Sequence, residues 1–253
     1  YKLVVTFHHS KTKKFIIEHK KIFEFVLKRC EAFITVSEKQ KKLINRYFKE
    51  IESGKIYPVP NGYDPRKLKI IKKKKARRSL GISNDVKLYV NIAWVMEKKG
   101  HLFLIEALKK IEEKRVKVLV IGKGPLLREY RSIVKKEDLT DKIEFMGYVP
   151  DERKCEILSA ADFFILPSLE EGNPIVMFEA MRYGLPFIGT NVGGIPEIIN
   201  DERLGIVVKK NDPNQLRDAM LSSLNRKWDS DYIMNHSRRF TWKNIAIRTV
   251  DIY

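Results

Sequence analysis

Between Val86 and Ile199 short apolar runs alternate with stretches of helical periodicity, and this alternation leaves few folds open. The apolar runs are KLYVNIAW (87–94), VKVLVIG (116–122), KIEFMGYV (142–149), FFILPS (163–168) and PFIGTN (186–191). Helices are expected at about 101–110, 126–136, 151–161 and 174–183, followed by a helical start at IPEII. Strands that are apolar on both faces and separated by helices belong to a parallel sheet covered on both sides. The expected fold is therefore α/β, a Rossmann-like doubly wound parallel sheet. Ligands on such sheets bind beyond the carboxyl ends of the strands, which directs attention to the loops after Gly122, Gly147, Ser168 and Asn191.

Upstream, KLVVTF (2–7) reads as a strand and 11–30 as one basic amphipathic helix with Phe15, Ile16, Phe23 and Val26 on one face. AFITVS (32–37) reads as a second strand, ending at Ser37, which can cap the helix EKQKKLINRYF. IYPVPNGYD (56–64) carries two prolines and an Asn-Gly pair, and marks a break. The expected division is a partial first lobe at 1–64, a ligand-binding Rossmann-like domain at 65–232 and a closing helix at 233–253. The chain opens at Tyr1, without Met and inside an apolar run, so an upstream segment is expected to precede it.

No apolar run approaches the ~20 residues of a membrane span. The two cysteines, Cys30 and Cys155, are far apart and show neither disulfide nor zinc spacing, which fits a reducing cytoplasm. Fifty Lys and Arg against 32 Asp and Glu give a net charge of +18, a balance that attracts nucleic acid, anionic lipid or phosphorylated substrates. The excess is spread along the chain, and the run KKKKARR (72–78) reads as solvated surface. No nucleic-acid-binding module is recognisable, so nucleic acid is not the expected partner. GKGP after VLVI is an incomplete phosphate loop, which leaves a dinucleotide-dependent oxidoreductase as a weak alternative.

The densest candidate for chemistry is SLEEGNPIVMFEAMRYGLPFIGTNVGGIPEII (168–199). Glu171 falls in the loop after a strand and Glu179 inside the next helix. The helix start at Gly172, Asn173 and Pro174 presents unpaired N–H groups to an anion, and two carboxylates flanking it can accept bonds from vicinal hydroxyls. Each glutamate alone would read as a surface charge; the Gly-rich turn after them favours a phosphate-and-sugar site.

That segment, together with TFHHS (6–10), ITVSEKQKKLI (34–44), IYPVPNGYD (56–64) and EKKGHLFLIEAL (97–108), resembles glycosyltransferase family 4, whose members are retaining GT-B enzymes of two Rossmann-like lobes. VIGKGPLLREY (120–130) and FMGYVPDE (145–152) resemble it more weakly, and the matches span nearly the whole chain in order. The resemblance implies a hexosyltransferase that takes a UDP- or GDP-sugar as donor, needs no metal, and passes the sugar with retained configuration to a glycan or lipid-linked acceptor. It places Glu179 on the nucleotide ribose, Glu171 on the hydroxyls of the donor sugar, Lys99 on the donor diphosphate and the Tyr148 segment at the base. A fixed cation at Lys99 is chemically sensible, because departure of the nucleoside diphosphate puts negative charge on the β-phosphate. His8 matches a histidine that points into the cleft and positions the donor sugar, with His9 the alternative occupant; attack is from the front face, with no protein nucleophile. Gly193 and Gly194 are read as backbone geometry, with Glu197 in the first turn of the helix that follows.

Two departures stand out. The family's arginine five positions before the lysine is replaced by Trp94, which offers one donor and no charge, so the donor is held more weakly through Lys99 alone, or Lys98 or Lys123 compensates, or the chain is a catalytically degenerate nucleotide-sugar binder. The amino end holds only the last part of a first lobe, and RRFTWKNIAIRTVDIY resembles the terminal helix that braces that lobe through Phe240, Trp242, Ile245 and Ile247. The basic helix near the amino end also suits peripheral contact with the inner face of a membrane, against the plainer reading of a packed Rossmann helix.

Overall fold

The strands form where apolar residues alternate between two buried faces. The computed structural model describes residues 3–8, 12–113 and 115–253, without the side chains of residues 12 and 53. His9, one of the two candidate histidines, lies outside them. The first elements are strand β1 (Val4–Phe7), helices α1 (Thr12–Glu18) and α2 (Lys20–Arg29), strand β2 (Ala32–Thr35), helix α3 (Glu38–Tyr47) and strand β3 (Ile56–Pro58). They build a parallel three-stranded sheet in the order β1-β2-β3. Beneath the helices lies an aromatic core in which Phe7, Phe23, Phe33 and Phe48 make ring contacts. Ser37 caps α3 by accepting from the Gln40 amide.

The single helix expected over 11–30 is two. The break is at His19 (φ −121°, ψ 29°), whose ring Nδ1 lies 3.1 Å from the Phe15 carbonyl while its own amide donates to the same oxygen. The Phe15 ring stacks on the imidazole at 4.2 Å, which holds the His19 side chain against the last turn of α1.

Beyond the Asn-Gly break come α4 (Lys73–Leu80), β4 (Lys87–Ile92), α5 (His101–Lys109), β5 (Val116–Ile121), α6 (Leu127–Lys136), β6 (Ile143–Gly147) and α7 (Asp151–Ala160). They are followed by β7 (Phe163–Leu166), α8 (Ile175–Arg182), β8 (Phe187–Thr190), α9 (Ile195–Ile198), β9 (Gly205–Val208), α10 (Pro213–Leu224), α11 (Ser230–Arg238) and α12 (Trp242–Val250). The six strands are parallel in the order β6-β5-β4-β7-β8-β9. Along β4, Leu88 and Val90 face α4, α7, α8 and α11, while Tyr89 faces α5, α6 and α10. This is the doubly wound α/β sheet expected from the alternation. Its order reverses between β4 and β7, which places a crevice at their carboxyl ends.

Two expectations are corrected here. The run 72–78 is not simply solvated: Arg77 is 4% exposed, with its guanidinium on the carbonyls of Ser83, Val86 and Ala160 and 2.5 Å from Asp162. In the closing segment only part of the expected apolar set is covered, with Phe240, just before α12, and Ile245 buried but Trp242 and Ile247 about half exposed.

Candidate active site

The site is assembled where β4 and β7 end. After β4 the chain makes a short 3-10 turn over Glu97–Lys99 and reverses at Gly100 with φ +70°. A Cβ on Gly100 would stand 1.9 Å from the Pro167 carbonyl oxygen, so only glycine lets this turn lie against the end of β7. The Lys98 carbonyl then accepts from the Leu169 amide at 2.8 Å, stitching the two loops together. The consequence is a buried ion pair: Lys99 Nζ is 2.6 Å from Glu171 Oε1, and the Ser168 hydroxyl donates to the same oxygen at 2.7 Å. Glu171 is 8% exposed, so these two contacts satisfy a carboxylate oxygen that solvent hardly reaches.

Gly193 closes the loop from above. Its φ is +55°, and a Cβ there would stand 2.4 Å from both the Glu171 and the Gly172 carbonyl oxygens. The Gly194 amide donates to the Gly172 carbonyl at 2.7 Å. Below the Lys99 turn, His101 is fully buried, its Nε2 3.0 Å from Asn91 Oδ1, while the Asn91 amide group donates to the Ile165 carbonyl. Burial and then the nearby Lys99 charge push the His101 pKa down to about 4, so the ring stays neutral.

The residues read from the sequence fall into two groups. Around Glu171 sit Lys99, Gly172, Gly193 and His8, whose carbonyl oxygen lies 3.6 Å from where a Gly172 Cβ would be; the His8 residue is exposed. Tyr148 and Trp94 are exposed beyond β6 and β4, with the Lys123 ammonium 4.9 Å from the centre of the Tyr148 ring. Glu179 lies on α8 and pairs with Lys154 of α7 at 3.6 Å. Burial opposes the Lys154 charge, but Glu179 and Asp151 outweigh it and hold its pKa above the usual lysine range.

Gly172, Asn173 and Pro174 are buried rather than open to solvent. The Asn173 side-chain oxygen accepts from the Asn61 amide at 3.0 Å, and the Asn61 side chain donates back to the Asn173 carbonyl at 2.7 Å. The Asn-Gly turn thus clamps the loop before α8. Glu197 also does more than start a helix: its carboxylate reaches across to α3 and accepts from the Glu38 and Lys39 amides, each at 2.8 Å. Sequence reasoning missed Ser168, whose partner Glu171 lies three residues on in the same loop, and Lys154, whose partner on α8 is fixed by tertiary contact. A cavity of about 740 Å³ opens beside Glu171 and Gly193, between α1 and α3 on one side and the loops after β7 and β8 on the other.

Comparison with known proteins agrees with this architecture. The family model described as Glycosyl transferases group 1 matches residues 72–240. The uncharacterized glycosyltransferase MJ1607 of Methanocaldococcus jannaschii is 30% identical over 234 residues, covering 88% of this chain; the chain spans 60% of that protein's length. Among solved structures, sucrose-phosphate synthase from Thermosynechococcus elongatus superposes with a TM-score of 0.83 at 22% identity, over all of this chain and 67% of that one. Anabaena HepE in complex with UDP gives a TM-score of 0.86 at 17% identity, over 99% of this chain and 71% of that one. The fold is thus of the GT-B type, and with its family model covering the six-stranded sheet the chain belongs to the group 1 glycosyl transferases.

Proposed function

We propose that this chain transfers a hexosyl group from a UDP- or GDP-sugar to an acceptor hydroxyl with retention of configuration, as a family 4 enzyme. In this reading the acceptor oxygen bonds to the anomeric carbon as the bond from that carbon to the diphosphate breaks. The leaving diphosphate keeps the electron pair, and the acceptor proton passes to it on the same face. Lys99 neutralises the developing charge on the β-phosphate, exchanging its contact with Glu171 for one with the donor. Glu171 and His8 hold the sugar, Glu179 the ribose, and the segment at Tyr148 the base. Gly172, Asn173 and Pro174 set the backbone that approaches the donor. No metal is invoked.

The observation that carries this reading is the convergence of Lys99 and Ser168 on the buried Glu171 carboxylate at the crevice between β4 and β7. The complex of HepE with UDP supports a nucleotide donor. Lys123 stands beside Tyr148, and we assign it the charge that Trp94 lacks. The division at 64 and 232 stays part of the proposal, as do a cytoplasmic site of action and a glycan or lipid-linked acceptor reached at the inner face of a membrane.

A thermal-shift titration with UDP, GDP, ADP and CDP tests the donor site, since a ligand that binds the native state stabilises it by mass action. One nucleotide should raise the melting temperature, with the shift reduced in Lys99→Ala and Glu179→Ala. Shifts left intact in both variants, or absent with all four nucleotides, would overturn the assignment.

A further inference from the structure

We propose that His101 and Asn91 act together as positioning residues, a buried hydrogen-bonded strut that aims the Lys99 ammonium at the leaving phosphate. This rests on the donor reading above, in which Lys99 meets the β-phosphate. Both side chains are fully buried, so they act through Lys99 and not by touching a donor. They lie under the floor of the crevice. The backbone ladder between β4 and β7 pairs Tyr89 with Phe163 and Val90 with Phe164, whereas β4 stays paired with β5 as far as Ile92 and Ile121. One residue past Val90 the Asn91 side chain takes over, its amide nitrogen donating to the Ile165 carbonyl at 2.7 Å. The two strands that part to open the crevice are thus joined there by a side chain.

The same amide fixes the ring. With its nitrogen committed to Ile165, Asn91 turns its oxygen toward His101, and an acceptor 3.0 Å from Nε2 requires that nitrogen to carry the proton. In the neutral ring Nδ1 then carries none, and it has no hydrogen-bond partner among the described residues. The surroundings are apolar, with the Tyr130 and Phe145 rings centred 6.1 and 5.8 Å from the imidazole. Two polar side chains buried in such a layer, one with a nitrogen left over, cost free energy that two apolar side chains would not. What they add is direction. His101 opens α5 directly after Gly100, and the turn before it is held at three other points. The Lys99 amide donates to the Met96 carbonyl at 3.0 Å, the Lys98 carbonyl accepts from Leu169, and Gly100 lies against Pro167. The strut supplies the fourth and fixes the rotation of the turn that carries Lys99 beside Glu171, which apolar packing, being non-directional, would leave soft.

The test is isothermal titration calorimetry of the full chain with UDP against UMP and GDP against GMP, so that each ratio of affinities isolates what the β-phosphate adds. One diphosphate should bind roughly tenfold or more tightly than its monophosphate, and Lys99→Ala should bring the two together. His101→Leu should lower that ratio roughly threefold or more while leaving the monophosphate affinity unchanged. His101→Gln, which keeps an N–H for Asn91, should restore the ratio, a rescue that a loss of stability alone would not produce. With Lys99 already replaced by Ala, His101→Leu should change the ratio no further. A ratio that survives His101→Leu, or a loss that His101→Gln shares in full, would overturn the proposal. Should His101→Leu not fold, the parent chain answers alone. Proton–nitrogen correlation spectra of the histidine rings, with the His101 signal assigned by its absence in His101→Gln, should show a proton on Nε2 and a displacement of the ring resonances by the diphosphate that the monophosphate does not produce. A ring protonated at Nδ1, or one indifferent to the diphosphate, would equally overturn it. A diphosphate preference that depends on Lys99 but not on His101 defeats this inference alone, whereas a parent chain that binds no nucleotide defeats the donor reading and this inference with it.

Discussion

At the scale of single residues, His101 and Gly193 each turn a local constraint into a measurable quantity. His101 is buried and neutral, with its pKa lowered from 6.5 to about 4 by burial and then by Lys99. The unfolded chain therefore binds a proton that the folded chain refuses. The stabilisation is fully present above about pH 6.5 and is lost as the pH falls toward 4, amounting to about 3 kcal/mol over that window. Urea denaturation at stepped pH should show a stability loss from pH 6.5 to 4 that is shallower in His101→Gln; superimposable acid limbs would mean that His101 is not the group being titrated. Gly193 is held at φ +55° against the carbonyls of Glu171 and Gly172. Gly193→Ala should cost about 2 kcal/mol or more, read as a fall in denaturation midpoint, because a side chain there is both strained and obstructed. The sequence pointed to Glu171 through the Gly-rich segment around it, to Lys99 through the family resemblance and to Gly193 as a tight turn, but the bond between Lys99 and Glu171 was not legible. It exists because Gly100 lets one loop lie on another, and no local pattern encodes that approach.

At the scale of elements, α4 shows why a charge run is a poor guide. Four lysines and two arginines within seven residues suggest a solvated helix, yet Arg77 points inward and ties α4 to the end of α7 and the start of β4. Asp162, its partner, also accepts from the Leu88 amide at 2.8 Å, so one ion pair organises three elements. Removing the guanidinium alone leaves the Ser83, Val86 and Ala160 carbonyls without this donor and takes from Asp162 its most buried partner, leaving it Lys73 at 2.6 Å and the Leu88 amide. Arg77→Met should destabilise the chain by about 3–5 kcal/mol, and combining it with Asp162→Asn should cost much less than the sum of the two. Strict additivity in guanidinium chloride unfolding would show that the pair is not coupled. The strands β4 to β8 were legible because burial on both faces writes an apolar run into the sequence. β9 lies beyond that reading: it is four residues long, begins with a glycine and is only partly covered. The break between α1 and α2 was hidden for another reason, since it falls at the backbone angles of one residue, His19, within an otherwise continuous periodicity.

At the scale of the whole molecule, the two sheets are joined by a small set of polar contacts laid over a shared core. Tyr63 and Thr241 pair as a parallel bridge, with the Tyr63 amide donating to the Phe240 carbonyl and the Trp242 amide to the Tyr63 carbonyl. Asn61 clamps Asn173, and Glu197 caps α3 from the far side of the cleft. The last of these is the most informative, because a carboxylate that accepts from two helix-start amides combines a cap with a charge–dipole contact. It also joins two elements that border the cavity, since α3 carries Lys39 and α9 follows Gly193. Glu197→Ala should therefore act on α3 more than on α9. Hydrogen exchange at the Glu38 and Lys39 amides should accelerate by roughly tenfold, corresponding to the loss of about 1–2 kcal/mol of capping. Exchange in the buried strands β4 and β7 should be unchanged, because neither depends on the contact across the cleft. If the α3 amides keep their protection while the whole six-stranded sheet loosens, then Glu197 serves the sheet that carries it, and the cleft is held at its width by the apolar contacts around Tyr63 and Phe240 instead.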